Sequence, residues 1–94
     1  MSDQSNTAAP ISAEAVAEEL SAYLSERFDT PVGTDHDLFA SGLVSSIFAM
    51  ELVARLEKTY GVDLRGPDLK LDNFRTADRM AALVHRLRGA SGDV

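Results

Sequence analysis

Residues 37–52 read DLFASGLVSSIFAMEL, and most of the predicted architecture can be built outward from this segment. It joins a turn region containing Gly42 to an amphipathic pattern that runs on to Tyr60. With Ser46 placed at 0° and about 100° added per residue, one set of apolar side chains falls between about 240° and 340°. These are Ala49, Leu52, Val53, Leu56 and Tyr60. The pattern predicts a helix that begins at Ser45 or Ser46, ends at Tyr60 and is terminated by Gly61.

A second helix is predicted before this stretch, over residues 12–28. Ser12 is a suitable N-cap, and Glu14 follows near the positive end of the helix. Apolar residues then recur at three- and four-residue steps. They are Val16, Leu20, Tyr23, Leu24 and Phe28. Residues 29–44 form a long connection to the next helix.

A last helix is predicted from a Thr76 cap through Leu87, and Gly89 is expected to end it. Its apolar face consists of Ala77, Met80, Leu83, Val84 and Leu87. The Gly66-Pro67 break predicts one short helical turn around Pro67 to Leu71. No segment alternates with period two, so the sequence predicts an all-α, four-helix bundle of three main helices and one short helix.

The composition is typical of one small globular domain. The chain has 94 residues, of which 45% are hydrophobic and 26% charged. We expect the domain at residues 11–89, between a flexible leader at 1–10 and a flexible tail at 90–94. No apolar run approaches the roughly 20 residues of a membrane span, and residues 1–10 lack a basic start. We therefore expect a free-standing, monomeric, cytoplasmic protein with no membrane partner.

The chain has no cysteine and a net charge of -6. The first observation excludes disulfides, Cys-type zinc sites and a protein thiol nucleophile. The second argues against nucleic acid as a partner, because nucleic-acid affinity depends largely on basic side chains. Residues 1–64 carry 3 basic and 11 acidic groups, whereas residues 65–94 carry 6 basic and 4 acidic groups. The acidic first part favours basic partner proteins.

Apolar side chains also lie outside the buried arc of the central helix. Ile47 falls at about 100°, Met50 at about 40° and Phe48 at about 200°, on the border of the buried arc. We interpret Ser45, Ile47, Phe48, Met50 and Glu51 as a docking surface for partner proteins. The alternative is that Ile47 and Phe48 fold back under the 29–44 connection.

The 37–52 stretch resembles the phosphopantetheine attachment motif of acyl and peptidyl carrier proteins. The common form of that motif has a Phe, a Gly shortly after it, and Asp-Ser-Leu at the start of helix two. Glu-Leu stands five and six residues beyond the serine. The resemblance covers about residues 12–88. It implies a non-enzymatic carrier with a 4'-phosphopantetheine arm and an acidic second helix. The implied partners are a phosphopantetheinyl transferase, acyl-loading and modifying enzymes, and a polyketide synthase acyltransferase.

Two serines compete for the attachment position. Counting from Gly42 in the short family form selects Ser45, whereas counting back from Glu51-Leu52 selects Ser46. An extended form, Gly-Leu-Val-Asp-Ser or Gly-Leu-Val-Asn-Ser, fits this chain with Ser45 in the Asp or Asn position. Ile47 then matches the usual Leu after the serine, so we predict that Ser46 carries the arm. Ser45 can cap the helix, but it lacks the charge of the Asp that is thought to help the transferase dock.

Within the family, the extended form is most similar to stand-alone carriers of specialised metabolism. The resemblance implies small polar acyl units, such as methoxymalonyl or hydroxymalonyl extender units for polyketide and antibiotic biosynthesis. Aminoacyl or D-alanyl carriers and an unmodified helical adaptor with the carrier fold are the alternatives. A small hydrolase with a Ser46, His36 and Asp35 triad is a further candidate. Asp35, His36 and Asp37 could also offer metal ligands, although we expect no metal site.

Overall fold

A computed structural model describes residues 12–92 of the chain. Three α-helices follow one another: α1, Ala13–Phe28; α2, Ser46–Tyr60; and α3, Ala77–Gly92. Two short 3-10 turns, Gly66–Asp68 and Leu71–Phe74, lie between α2 and α3. Residues 12–92 contain no strand, so the predicted all-α class is confirmed. The predicted leader at 1–10 lies outside the described residues.

The helices enclose one apolar core, and α3 packs chiefly along α1. Each helix contributes apolar residues at three- and four-residue spacing, which places them on one face. The largest fully buried side chains are Val16, Leu20, Leu24, Leu38, Leu52, Leu56, Met80, Leu83 and Val84. Eight of these nine lie on the three helices, and the ninth, Leu38, comes from the connection between α1 and α2.

The start of that connection is fastened to α1. The helix ends where Asp29 takes the left-handed conformation, with φ of 55°. Ser25 Oγ then accepts a hydrogen bond from the Val32 backbone N–H at 2.9 Å, and Ser21 Oγ donates one to the Val32 carbonyl. Val32 is buried. These bonds satisfy polar groups of a segment that turns back over the core.

The rest of the connection is fastened to the start of α3. The Leu38 N–H donates to the Arg75 carbonyl at 2.8 Å, and the Asp78 N–H donates to the Thr34 carbonyl at 2.9 Å. The Asp37 carboxylate lies 3.2 Å from Arg75 Nη1. The backbone N–H of Ala40 and then the Arg75 guanidinium hold the pKa of Asp37 below its usual range. The connection is therefore an ordered part of the fold.

One predicted helix boundary is wrong. α3 continues through Gly92 instead of ending at Leu87, so the backbone of residues 90–92 is helical. Gly89 does not take the left-handed conformation that ends helices, and a glycine within a helix costs only about 1 kcal/mol relative to alanine. The predicted short helix corresponds to the two 3-10 turns, which are separated at Lys70, where the backbone is extended. Residues 93–94 lie outside the described part of the chain.

Candidate functional site

The start of α2 is formed by two serines with different roles. Ser45 is the N-cap, and its Oγ accepts a hydrogen bond from the Phe48 N–H at 3.1 Å. Its carbonyl accepts the Ala49 N–H at 3.0 Å. Ser46 is the first helical residue and its side chain is exposed. The predicted helix start is confirmed, with one serine used for capping and the next facing solvent.

The turn before these serines depends on Gly42. Its φ is 79°, a left-handed value that L side chains rarely adopt, and its N–H donates to the Phe39 carbonyl at 3.0 Å. The chain then returns to the core at Val44, whose N–H donates to the Leu38 carbonyl at 3.0 Å. This turn directs the backbone into Ser45 and so sets where α2 begins.

Neither the hydrolytic triad nor the metal site is assembled. The imidazole Nε2 of His36 lies 2.9 Å from Ser41 Oγ, so its hydrogen-bond partner is not Ser46. Asp37 is engaged with the Ala40 N–H and with Arg75. Within residues 12–92, no three His, Cys, Asp or Glu side chains form a group that could hold a metal ion. A serine hydroxyl without a base is a poor nucleophile.

Ile47, Met50 and Glu51 are exposed, as the helical wheel predicts. Ile47 is 79% exposed and Met50 65%, so Ile47 does not fold under the 29–44 connection. These three residues are called the α2 surface below. Two large apolar side chains in water beside a helix start are a feature of docking sites.

Phe48 does not belong to that surface, and its predicted role in docking is wrong. Its side chain is 8% exposed. Its ring meets the Phe28 ring edge to face with 5.1 Å between centroids, and the Arg27 guanidinium lies 5.2 Å from it. The helical wheel placed Phe48 at the edge of the buried face of α2. In the fold, the end of α1 covers this edge. Phe48 instead fixes the start of α2 against α1.

The charges of α2 balance, so the acidic second helix that the resemblance implies is absent. The helix carries Glu51 and Glu57 against Arg55 and Lys58. Glu57 Oε2 also accepts the Leu64 N–H at 2.9 Å, which uses one carboxylate internally. The acids of residues 12–64 lie mostly on α1 and in the connection after it.

An apolar cleft of about 290 Å³ opens beside Ser46, between α2 and the second 3-10 turn. It is lined by Ser46, Ala49, Met50, Val53, Leu69, Lys70, Leu71 and Phe74. Leu69 and Leu71 are 46% and 54% exposed, and Phe74 is buried. The cleft was not predicted, although the apolar pair on either side of Lys70 was a signal for it. It provides an apolar surface next to the exposed serine.

The protein-family comparison agrees with this geometry. A family model described as "Phosphopantetheine attachment site" matches residues 14–84. The chain belongs to this family. No curated protein and no solved structure matched the chain. The resemblance to acyl and peptidyl carriers is confirmed at the level of the family, with α1, α2 and most of α3 inside the matched range.

Phosphopantetheine carriers are not enzymes; they bear a 4'-phosphopantetheine arm, as the sequence predicted. Carriers of this kind generally interact with phosphopantetheinyl transferases and with acyl-handling enzymes. Within the part of the carrier that the structure describes, no helix has the length and apolar character needed to cross a membrane.

The start of α2 in this carrier fits the phosphodiester of such an arm. The first turn of the helix contains no acidic residue, and the N–H groups of Ser46 and Ile47 have no acceptor within the helix. A helix N-terminus of this kind favours a bound negative charge. The apolar cleft beside Ser46 can cover apolar atoms of the arm. Such an arm would supply the thiol that a cysteine-free chain lacks.

Proposed function

We propose that this carrier bears its arm on Ser46 and holds a small acyl unit there as a thioester for delivery to biosynthetic enzymes. One observation carries the proposal: Ser46 is the exposed first residue of α2, inside the residues that match the attachment family. A hydroxyl at this position is accessible to a transferase and lies at the positive end of the helix.

Ser46 is favoured over Ser45 by what each side chain does. Ser45 Oγ is occupied as the N-cap acceptor, so its modification would disturb the start of α2. Ser46 projects from the first turn without that duty, next to the apolar cleft. The family register, with Ile47 after the serine and Glu51-Leu52 five and six residues on, supports the same choice.

The cargo in this proposal is small and polar, and the pathway is polyketide extender-unit supply. The extended Gly42 to Ser46 form is similar to carriers of short hydroxylated or carboxylated units. A polar acyl group gains little from an apolar cleft, at most about 0.8 kcal/mol per methylene, and loses hydration when it is buried. An acyl chain of this kind therefore stays in solvent, where partner enzymes reach it.

The attachment is tested by intact mass after incubation with coenzyme A, magnesium and a promiscuous transferase. We expect the mass of one phosphopantetheine, mapping to Ser46. Ser46→Ala should abolish the adduct, and Ser45→Ala should only slow its formation. An adduct that survives Ser46→Ala and disappears with Ser45→Ala would move the attachment site to Ser45.

One other function has an observation in its favour. Ser45 stands where the family has Asp, and the missing charge weakens the expected contact with the transferase, which favours an unmodified helical adaptor. No adduct with several transferases, together with an unmodified mass for protein purified from its own host, would support the adaptor. The host protein's mass also reports the cargo and separates an acyl unit from an aminoacyl or D-alanyl unit.

The cargo class is tested by amide chemical shifts of the loaded carrier. One sample carries a C3 hydroxy- or carboxy-acyl group and a matched sample carries octanoyl. The polar cargo should change few amides beyond Ser46 and its neighbours. If the natural cargo shifts Leu52, Leu56, Tyr60 and Met80 together, the chain enters the core and the small-polar-cargo proposal is wrong.

A further inference from the structure

The cleft beside Ser46 contains one charged residue. Lys70 lies between Leu69 and Leu71 and lines the same cleft as Ser46. It is exposed, and its backbone is held where its carbonyl accepts the Asn73 N–H at 2.9 Å. The remaining lining residues are apolar apart from the serine itself. Lys70 is thus the one charged residue in the lining of an apolar cleft that begins at the exposed Ser46.

The carboxylates nearest to Lys70 in sequence are committed to arginines and backbone groups. Asp68 accepts the Arg65 N–H at 3.1 Å and lies 3.8 Å from Arg86. Asp72 contacts Arg75 at 3.0 Å and Arg79 at 2.8 Å. Among the described residues, no carboxylate lies within 4.0 Å of the Lys70 ammonium. The charge of Lys70 is therefore not neutralised inside the fold.

The first turn of α2, next to the cleft, lacks negative charge of its own. Ser45 is uncharged, and the first turn of the helix has no acid. The partial positive charge of the helix N-terminus is consequently left uncompensated, in a chain whose net charge is -6. Lys70 and the start of α2 make a locally positive site on an acidic protein.

We propose that Lys70 is the counter-cation of the phosphodiester that joins the arm to Ser46. This assignment rests on the proposed function, since it requires the arm at that serine. The ammonium and the helix start stabilise the phosphodiester from two sides, while the apolar lining covers the adjoining part of the arm. Lys70 is a positioning residue: it holds the near end of the arm at the cleft and leaves the thiol end free.

The test is a thermodynamic cycle on the holo carrier without cargo. The melting temperature is measured before and after arm attachment for the natural chain, for Lys70→Gln and for Lys58→Gln. Lys58 is the only other lysine, is exposed on α2 and does not line the cleft, so it is a matched control. The holo-minus-apo difference should be lower by about 1 to 5 °C in Lys70→Gln than in the natural chain at low salt.

Four further measurements test the same assignment. Lys58→Gln should leave the difference unchanged, and 0.5 M salt should reduce the effect of Lys70→Gln. The ³¹P chemical shift of the phosphodiester should change in Lys70→Gln and not in Lys58→Gln. In the apo chain, Ser46→Asp should be more stable than Ser46→Asn, and Lys70→Gln should reduce that advantage.

The outcomes separate this assignment from the proposed function. A failure to attach the arm to Ser46, seen by mass, overturns the proposed function and the role of Lys70 with it. An arm on Ser46 with equal holo-minus-apo differences in both glutamine variants overturns the role of Lys70 alone. A Lys70 effect that arises only after a carboxylated acyl group is loaded would assign the ammonium to the cargo and would also overturn this proposal.

Discussion

The two ends of α2 differ in what surrounds them. Towards the C-terminal end of α2, Leu56 is fully buried, and the Tyr60 hydroxyl donates to Glu19 Oε1 at 2.7 Å. The Tyr60 carbonyl accepts from Arg88 at 2.7 Å, so α1 and α3 both hold this end. At its start, Ser46 and Ile47 face solvent. One helix is therefore fixed at one end and presented at the other.

The difference shows how so small a domain can be stable and still expose side chains that partner proteins could contact. Buried apolar residues occur along the whole of α2, and at Tyr60 the helix also contacts both α1 and α3 through hydrogen bonds. At the start, the Ser45 cap and the Phe48 ring hold the backbone, so the α2 surface need not contribute to folding. Substitutions at the two ends should consequently affect different properties.

The largest expected effect is a loss of stability at the fixed end. Leu56→Ala should lower the free energy of unfolding by about 2 to 5 kcal/mol, because it leaves a cavity in the core. Urea unfolding measures this, with Met50→Ala as the exposed control, expected within about 0.5 kcal/mol of the natural chain. Equal losses in the two variants would contradict the contrast between the ends.

Removal of the cap should give the next largest effect. Ser45→Ala should cost about 0.5 to 2 kcal/mol, since the Phe48 N–H loses its side-chain acceptor. Ser45→Asp is the matched control, because it keeps an acceptor and adds a charge that suits the helix N-terminus. It should retain full stability and accept the arm faster, as measured by mass against time. A stable Ser45→Ala variant would show that the cap is dispensable.

Tyr60→Phe should cost about 0.5 to 1.5 kcal/mol through loss of the hydrogen bond to Glu19. Burial and then this bond raise the pKa of Tyr60 above its usual 10.0. As the pH rises, the Tyr60 hydroxyl therefore loses its proton in the unfolded chain before it does so in the folded chain. The contribution of Tyr60 to the free energy of unfolding is complete below pH 10 and declines as the pH rises above it. Urea unfolding at pH 8 and pH 11 measures the decline, and Tyr60→Phe should remove that component. An unchanged pH dependence in this variant would disprove the assignment.

The smallest effect on stability is expected at Ile47. Ile47→Ala should change the free energy of unfolding by no more than about 0.5 kcal/mol, because the side chain is 79% exposed. Loading or transfer by a partner enzyme should nevertheless fall, since we propose the α2 surface as the docking site. A loss of several kcal/mol in stability would place Ile47 in the core, and unchanged transfer would remove it from the docking site.

Patterns within a single helix were enough to predict much of the fold. The apolar spacing of α2 and the capping preference of serine identified its bounds, its buried arc and the exposure of Ile47. Phe48 was misplaced because its burial depends on Phe28, a residue 20 positions earlier that only the folded bundle brings near. The Tyr60 to Glu19 bond and the cleft beside Ser46 depend likewise on how separate elements pack. The end of α3 was misjudged because glycine only weakens a helix.

The backbone bonds between the 29–44 connection and the start of α3 also have a kinetic consequence. The Leu38 and Asp78 amide nitrogens donate across that junction, at 2.8 and 2.9 Å from their acceptor oxygens. Exchange of their hydrogens with deuterium reports how often the junction opens. Because the Leu38 carbonyl also accepts the Val44 N–H just before Ser45, we expect openings of the junction to loosen the backbone that precedes Ser46. The deuterium uptake rates of these two amides should therefore report how often the backbone before Ser46 moves. The measurement requires no label on the arm.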